Sequence, residues 1–221
     1  MIIQAAIFDI DGTLLNSVDL HAEAWRLALR HFGKIVPTRI IRTQIGKGGD
    51  QLLPVFLGPD EQRAFGAELI EYRGKVWTRD FMSLVKPFPR VPELLATLRA
   101  RGVRVALASS CKKPELDHYK KLLKIDDLVQ ADASADDAAR SKPHPDIFQA
   151  AVARAGVARS RSIAIGDTPY DAEAARKAGL TAIGVLCGGF PEESLRVAGC
   201  AAIYRNPAVL LAEIDTWIGL A

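Results

Sequence analysis

The chain has little sulfur to build with. Cys111, Cys187 and Cys200 are its three cysteines in 221 residues. The number is odd and no two form a C-x-x-C pair, which argues against a disulfide scaffold and for reduced thiols in the cytosol. Long apolar runs are also missing. Nothing approaches the ~20 apolar residues that cross a bilayer, and Asp9 and Asp11 interrupt the apolar start before a signal-peptide core forms. The expectation is a cytoplasmic protein with no membrane partner. Charge of one sign is scarce too, with a net charge of +3. Arg101, Arg104, Lys112, Lys113, Lys120 and Lys121 are scattered, without aromatic interleaving, so no nucleic-acid partner is expected. A local site for a small anion remains open. There is no internal repeat and no low-complexity tract. What is left is an ordinary globular composition, 49% hydrophobic and 25% charged, long enough to bury a sizeable core. Oligomeric state is not written in it.

Three regimes follow along the chain. A buried-type strand is expected from about Ile2 to Phe8. From Ser17 to about Val85 the pattern is helical: His21, Ala24, Trp25, Ala28, Leu29 and Phe32 recur at helical spacing, and glycines such as Gly33, Gly46, Gly48, Gly49 and Gly58 separate the pieces. After Lys86-Pro87-Phe88-Pro89 strands and helices alternate. Helices are expected near 91–100, 114–123, 145–155 and 170–178. Strands are expected at 103–108, near Val129, at 162–165 and at 182–185, with a final βα unit over 201–218. Short apolar runs without alternation fit strands buried on both faces. Alternating βα units imply a parallel sheet with helices on both sides. The fold class is therefore α/β, a doubly wound Rossmann-like parallel sheet of residues 1–16 and 86–221, with an inserted α-helical cap at 17–85.

The first strand delivers Asp9-Ile10-Asp11-Gly12-Thr13 into a tight turn. Alternation starts Asp9 and Asp11 on the same side, and two like charges that close repel unless a cation bridges them or one holds a proton. Ligands of open parallel sheets bind at the carboxyl ends of strands. There the chain places Ser109-Ser110 after one strand and Gly166-Asp167-Thr168-Pro169-Tyr170-Asp171 after another, with Ser141-Lys142-Pro143 before a helix. Each has a plain structural alternative: Ser109 as a helix cap, Lys142 as a solvated lysine, Asp167 as a turn residue, Asp171 as an acid in a first helical turn. Together they suit phosphoryl transfer. A carboxylate can attack phosphorus, a second can act as acid and base, carboxylates hold Mg²⁺, and lysine and hydroxyl groups hold phosphoryl oxygens.

In this order, Asp9-x-Asp11-Gly12-Thr13-Leu14, Ser109, Lys142-Pro143 and Gly166-Asp167-x-x-x-Asp171, the motifs resemble those of the haloacid dehalogenase superfamily, in the branch with a helical cap after the first motif. The resemblance implies Asp9 as nucleophile and metal ligand, and Asp11 as general acid/base with its backbone carbonyl on the metal. It implies Ser109, Ser110 and Lys142 as the phosphoryl-binding set, Asp167 as a Mg²⁺ ligand and Asp171 as support for the metal site. Asp11 separates the chain from the dehalogenases, which lack it. Gly166 stands where mutase-type relatives often carry a second acid. The expected activity is Mg²⁺-dependent hydrolysis of a small phosphorylated metabolite through an aspartyl-phosphate, as in phosphoglycolate phosphatases. A β-phosphoglucomutase-like sugar-phosphate mutase is one alternative, and a non-catalytic binding or regulatory module on the same fold is another. Two cap residues are candidates for substrate selection. His21 either acts there or only packs beside Trp25. Lys47, in Gly46-Lys47-Gly48-Gly49-Asp50, either meets a second anionic group or is solvated.

Overall fold

The computed structural model describes residues 3–219. The chain enters through β1 (Ala5–Phe8), makes β2 (Leu15–Asn16), then runs through α1 (Val18–His31), α2 (Thr38–Arg42), α3 (Gly49–Phe56) and α4 (Pro59–Val76). It returns in β3 (Lys86–Pro87). The remainder is α5 (Val91–Ala100), β4 (Arg104–Ala108), α6 (Lys113–Leu123), β5 (Ala131–Ala133), α7 (Asp146–Ala155), β6 (Ser162–Gly166), α8 (Pro169–Lys177), β7 (Thr181–Val185), α9 (Glu192–Ala198), β8 (Ala202–Tyr204), α10 (Pro207–Glu213) and α11 (Asp215–Ile218). Six strands form one parallel sheet in the order β5-β4-β1-β6-β7-β8. The chain winds from β1 to one side, then crosses back and winds to the other. β1 therefore lies at the point of reversal, where a crevice opens at the carboxyl ends of the strands.

Both faces of β1 are dry, for a reason visible in four residues. Ala6 and Phe8 join the cluster that holds Leu94 and Leu98 of α5, Leu116 of α6, and Val105, Leu107, Ile163 and Ile165 of the flanking strands. Ala5 and Ile7 point the other way, into an alanine-rich layer with Ala106, Ala164, Phe148 and Ala151 of α7, and Ala172 and Ala175 of α8. Small side chains on that face let α7 and α8 approach the sheet closely. The helices between β2 and β3 keep a core of their own: Val18, Ala22, Trp25, Ala28 and Leu29 of α1 meet Ile41, Ile45, Leu52, Leu53 and Leu69. The spacing of those α1 residues is that of one apolar helical stripe. β2 and β3 pair antiparallel, Leu15 opposite Pro87 and Asn16 opposite Lys86, so the two chain crossings are laced side by side. Among the described residues no helix is long and apolar enough to cross a membrane.

Some elements differ from expectation. The sheet ladder begins at Ala5, and Ile2, where the strand was expected to start, lies outside the described residues. The strand expected near Val129 begins at Ala131, because the amides of Leu128 and Val129 still bond to Ile125 O in the turn leaving α6. The short ribbon of β2 and β3, and helix α9, were not anticipated.

Candidate active site

The crevice is built around the turn that follows β1. The Asp9 amide still donates to Ile165 O at 2.8 Å, which prolongs the β6 pairing by one residue. Then Ile10 O accepts from the amides of Thr13, Leu14 and Leu15, with Ile10, Leu14 and Leu15 fully buried as anchors. Gly12 has φ +86°, a left-handed conformation that suits glycine, and a Cβ there would lie 2.3 Å from Asp167 Oδ2.

The turn sends its two aspartates to different partners. Asp9 Oδ1 accepts from Lys142 Nζ at 2.5 Å, and Asp9 Oδ2 lies 3.3 Å from Thr13 Oγ1. That same hydroxyl is 3.1 Å from Asp167 Oδ1, so one proton serves two carboxylates. Lys142 is 1% exposed. It also donates to Ala108 O at 3.1 Å and forms an ion pair with Asp171 Oδ1, 2.7 Å away. Asp171 divides its two oxygens between the helix that follows it and Lys142. Oδ2 accepts from the Thr168 amide at 3.1 Å and from Thr168 Oγ1 at 2.6 Å, closing a capping box on α8. Oδ1 is left to face Lys142.

Asp9, Asp167 and Asp171 each present an oxygen within 4.8 Å of the others, all buried. One ammonium does not balance three carboxylates in a dry site. Burial pushes the Asp9 carboxyl up to about 7, against the pull of Lys142 and with the push of Asp171 and Asp11. Burial likewise drives Asp167 well above the ordinary carboxylate range, with Asp171 and Asp9 adding to it. Asp167 Oδ2 has no hydrogen-bond partner. Its surroundings are cleared by glycine, since a Cβ on Gly188 would come within 1.7 Å of it. A buried, orphaned carboxylate oxygen among hard oxygen donors of net negative charge fits a small divalent cation.

Asp11 looks toward the helical insertion. Its Oδ1 accepts from Ser17 Oγ at 2.6 Å and from His21 Nε2 at 2.8 Å. Arg73 Nη2 meets His21 Nδ1. An arginine can only donate, so Nδ1 accepts and the ring proton sits on Nε2, facing Asp11. Burial raises the Asp11 carboxyl, but the His21 ring, the Ser17 hydroxyl and the Arg73 charge outweigh it and hold it below the ordinary range. His21 is 5% exposed and stacks on Trp77 at 3.7 Å. Its stacking partner is thus Trp77 and not the expected Trp25, and its Nε2 reaches Asp11 in the site.

A cavity of about 90 Å³ opens above the two aspartates, lined by Asp9, Asp11, His21, Trp25, Arg73 and Glu115 among others. Ser110 lines it as well, and so does the loop 45–49 with Lys47. Ser109 is buried beneath, its hydroxyl 3.1 Å from Cys111 Sγ and accepting the Cys111 amide at 3.2 Å. Lys47 donates to Gln44 Oε1 at 2.7 Å and lies 4.6 Å above the Tyr170 ring, so its ammonium already has partners. Burial pushes the Cys111 thiol well up, which keeps it protonated beside the carboxylates. Arg73, Glu115 and Gly188 escaped the sequence reading. Gly188 carried a signal, a Cys187-Gly188-Gly189 turn at the carboxyl end of β7. Arg73 carried none.

A profile of the haloacid dehalogenase-like hydrolases matches residues 6–185. A phosphorylated carbohydrates phosphatase of Thermotoga maritima is 26% identical over 212 residues, covering 94% of this chain and 96% of that protein. A phosphoglycolate phosphatase of Neisseria meningitidis is 29% identical over 192 residues, covering 84% of this chain and 81% of its own. The crystal structure of a hydrolase from Pseudomonas syringae is 29% identical with a TM-score of 0.87, covering 96% of this chain and 98% of that one.

Proposed function

The chain belongs to the haloacid dehalogenase-like hydrolase family, and on that premise we propose that it is a Mg²⁺-dependent phosphatase that hydrolyses a small organic phosphate monoester through an aspartyl-phosphate. The observation that carries the reading is Asp9, buried at the switch point between Lys142, Thr13 and the orphaned oxygen of Asp167. Residues 1–16 and 86–221 act as the catalytic core and residues 17–85 as the cap, in a cytoplasmic enzyme.

Asp9 and Asp167 would hold the metal with their carboxylates, and Asp171, in the same buried group, would support the site; the family resemblance adds the Asp11 backbone carbonyl as a further ligand. When bound, Mg²⁺ offsets the carboxylate charge and draws electron density from a phosphoryl oxygen. The chain supplies the rest. A carboxylate oxygen of Asp9 attacks phosphorus as the bond to the ester oxygen breaks, and Asp11, in the protonated form that is its minor one at neutral pH, gives that oxygen its proton. Asp11 then takes a proton from water, whose oxygen attacks phosphorus and releases inorganic phosphate, restoring Asp9. Lys142 holds Asp9 and neutralises part of the phosphoryl charge, and Ser109 and Ser110 supply hydroxyls at the end of β4.

Gly166 favours hydrolysis over the mutase alternative. A Cβ at that position would lie 2.4 Å from Asp171 Cβ, so the second acid typical of mutase-like relatives has no room. His21 and Lys47 line the cavity and act as cap residues that select the leaving group. The test is a panel of phosphorylated metabolites with Mg²⁺, comparing wild type with Asp9→Asn. Inorganic phosphate released by wild type alone is expected. Conversion of β-glucose 1-phosphate to its isomer in place of phosphate release would establish the mutase, and silence across the panel would leave a binding module.

A further inference from the structure

The cap segment 42–50 touches the core at loops that carry catalytic groups. Tyr170 OH, beside Asp171, donates to Thr43 O at 2.6 Å. Arg42 Nη2 donates at 2.9 Å to the carbonyl of Gly188, the residue that walls Asp167. The third contact joins a hydrogen bond to close packing. The Ser141 amide, one residue before Lys142, donates to Asp50 Oδ2 at 3.1 Å. Gly48 is buried against the Ser141 side chain, so closely that a Cβ on Gly48 would stand 2.0 Å from Ser141 Oγ and 2.4 Å from Ser141 Cβ. Gly48 has φ −75° and ψ 167°, extended backbone open to any residue. Its missing side chain answers to Ser141 opposite, not to its own dihedrals. Asp50 is kept in place by Gln51 Nε2 at 2.9 Å.

We propose that Gly48 and Asp50 form a seat for Ser141 which sets the loop of Lys142, so that the phosphoryl site reaches working geometry only with the cap docked. Asp50 is a positioning residue: it touches neither Asp9 nor the reacting atoms, and acts through the backbone that presents Lys142. The seat gives cap closure a mechanical readout at the nucleophile, since Lys142 Nζ is the group that holds Asp9 Oδ1. This inference rests on the phosphatase reading for its kinetic consequence and on the contact geometry for the seat itself.

Two measurements test it. First, kcat and KM toward p-nitrophenyl phosphate are compared for wild type, Gly48→Ala, Ser141→Gly and the double variant. Gly48→Ala is expected to lower kcat/KM about tenfold or more, mostly in kcat, the equivalent of losing one good hydrogen bond. Ser141→Gly removes the two nearest of the three atoms the new methyl meets and leaves Asp50 Oδ1 at 2.8 Å, the end of an exposed side chain that can turn aside, so the double variant is expected to return to within about threefold of Ser141→Gly alone. A role for Gly48 only as the start of α3 predicts no rescue. An unaffected Gly48→Ala, or a double variant as poor as Gly48→Ala, overturns the seat. Second, amide exchange at Ser141 is followed without substrate. Asp50→Ala is expected to speed it about tenfold or more, and Asp50→Asn, whose side-chain oxygen still accepts, is expected to preserve protection. Unchanged exchange in Asp50→Ala overturns the proposal. Because exchange needs no turnover, a wild type inactive on every ester would sink the phosphatase reading while exchange still decided the seat.

Discussion

Removing the charge of Lys142 is the sharpest test of how the buried cluster is held. Lys142→Met keeps most of the side-chain volume and deletes the ammonium that faces Asp9 Oδ1, Asp171 Oδ1 and Ala108 O. Lys142 is 1% exposed, so water cannot substitute for it. Breaking a buried ion pair from one side typically costs about 3–5 kcal/mol, and here one ammonium serves two carboxylates. The loss has a built-in relief: carboxylates left unpaired can take up protons. Asp9 is already raised by burial, to about 7, with Lys142 pulling it down, so the variant raises it further. Up to about 7 the folded wild type holds the same proton; above it the variant keeps a proton that both the unfolded state and the folded wild type have released. Stability of the variant must fall as pH rises there, by up to ~1.4 kcal/mol per pH unit for each extra proton. In chelator-containing buffer, urea unfolding should show a small penalty near pH 5.5 and the full penalty near pH 8.5. Adding Asp9→Asn should recover part of the loss at the higher pH. A penalty under about 1 kcal/mol at pH 8.5, or one that is flat with pH, would refute the reasoning, because breaking a pair in a dry site is expected to exceed it.

Two further outcomes follow from the same geometry. Saturating Mg²⁺, at about a hundredfold over its dissociation constant, should stabilise the protein by ~2.7 kcal/mol, which for a chain of this size raises Tm by roughly 5–10 °C. The rise should be larger at pH 8 than at pH 5, where protons compete for Asp9, and should vanish in Asp167→Asn; an equal rise in that variant would move the metal elsewhere. His21→Ala removes a partner that holds the Asp11 carboxyl down. If Asp11 ionisation sets the acid limb of the pH–kcat profile, that limb should move to higher pH. A limb that stays put while Ser17 and Arg73 variants also leave it unmoved would take Asp11 out of the proton transfer.

What the sequence made legible was set by periodicity and by strand ends. α5 was expected over 91–100 and is found there, because Val91, Leu94, Leu95 and Leu98 repeat on one buried face. The sheet strands read as apolar runs because both faces are covered, and the polar residues ending those runs are the ones that gather at the crevice. Other features were silent for physical reasons. β2 and β3 are two residues each, too short for any alternation to register. α9 buries only Leu195, so no stripe marks it. Arg73 lies near the end of α4 among Glu71, Tyr72 and Lys75, and nothing in its spacing distinguishes it from a solvated face. Its place beside His21 exists only because α4 packs on α1. Gly48 and Gly188 are harder still, since the information is a missing side chain whose value depends on what stands opposite.

Residue type alone would make the four aspartates of this site equivalent, and their remaining lone pairs are what separate them. Asp171 has one oxygen in the α8 cap and the other in an ion pair with Lys142, so each of its oxygens already faces a group of the protein. Asp11 is drawn off the cluster by Ser17 and His21 and faces the cavity, where a proton has somewhere to go. Asp167 keeps one oxygen unpartnered in a glycine-walled recess, which suits a ligand and leaves no space for a substrate. Asp9 alone combines a fixed oxygen, held by Lys142, with a second that has only a shared and longer contact to Thr13. An attacking group needs both, orientation from one oxygen and a free lone pair on the other. The division of labour proposed for these identical side chains therefore follows their polar partners, and those partners come from different segments: Ser17 and His21 from the start of the helical insertion, Lys142 from the loop before α7, and Thr168 from the cap of α8.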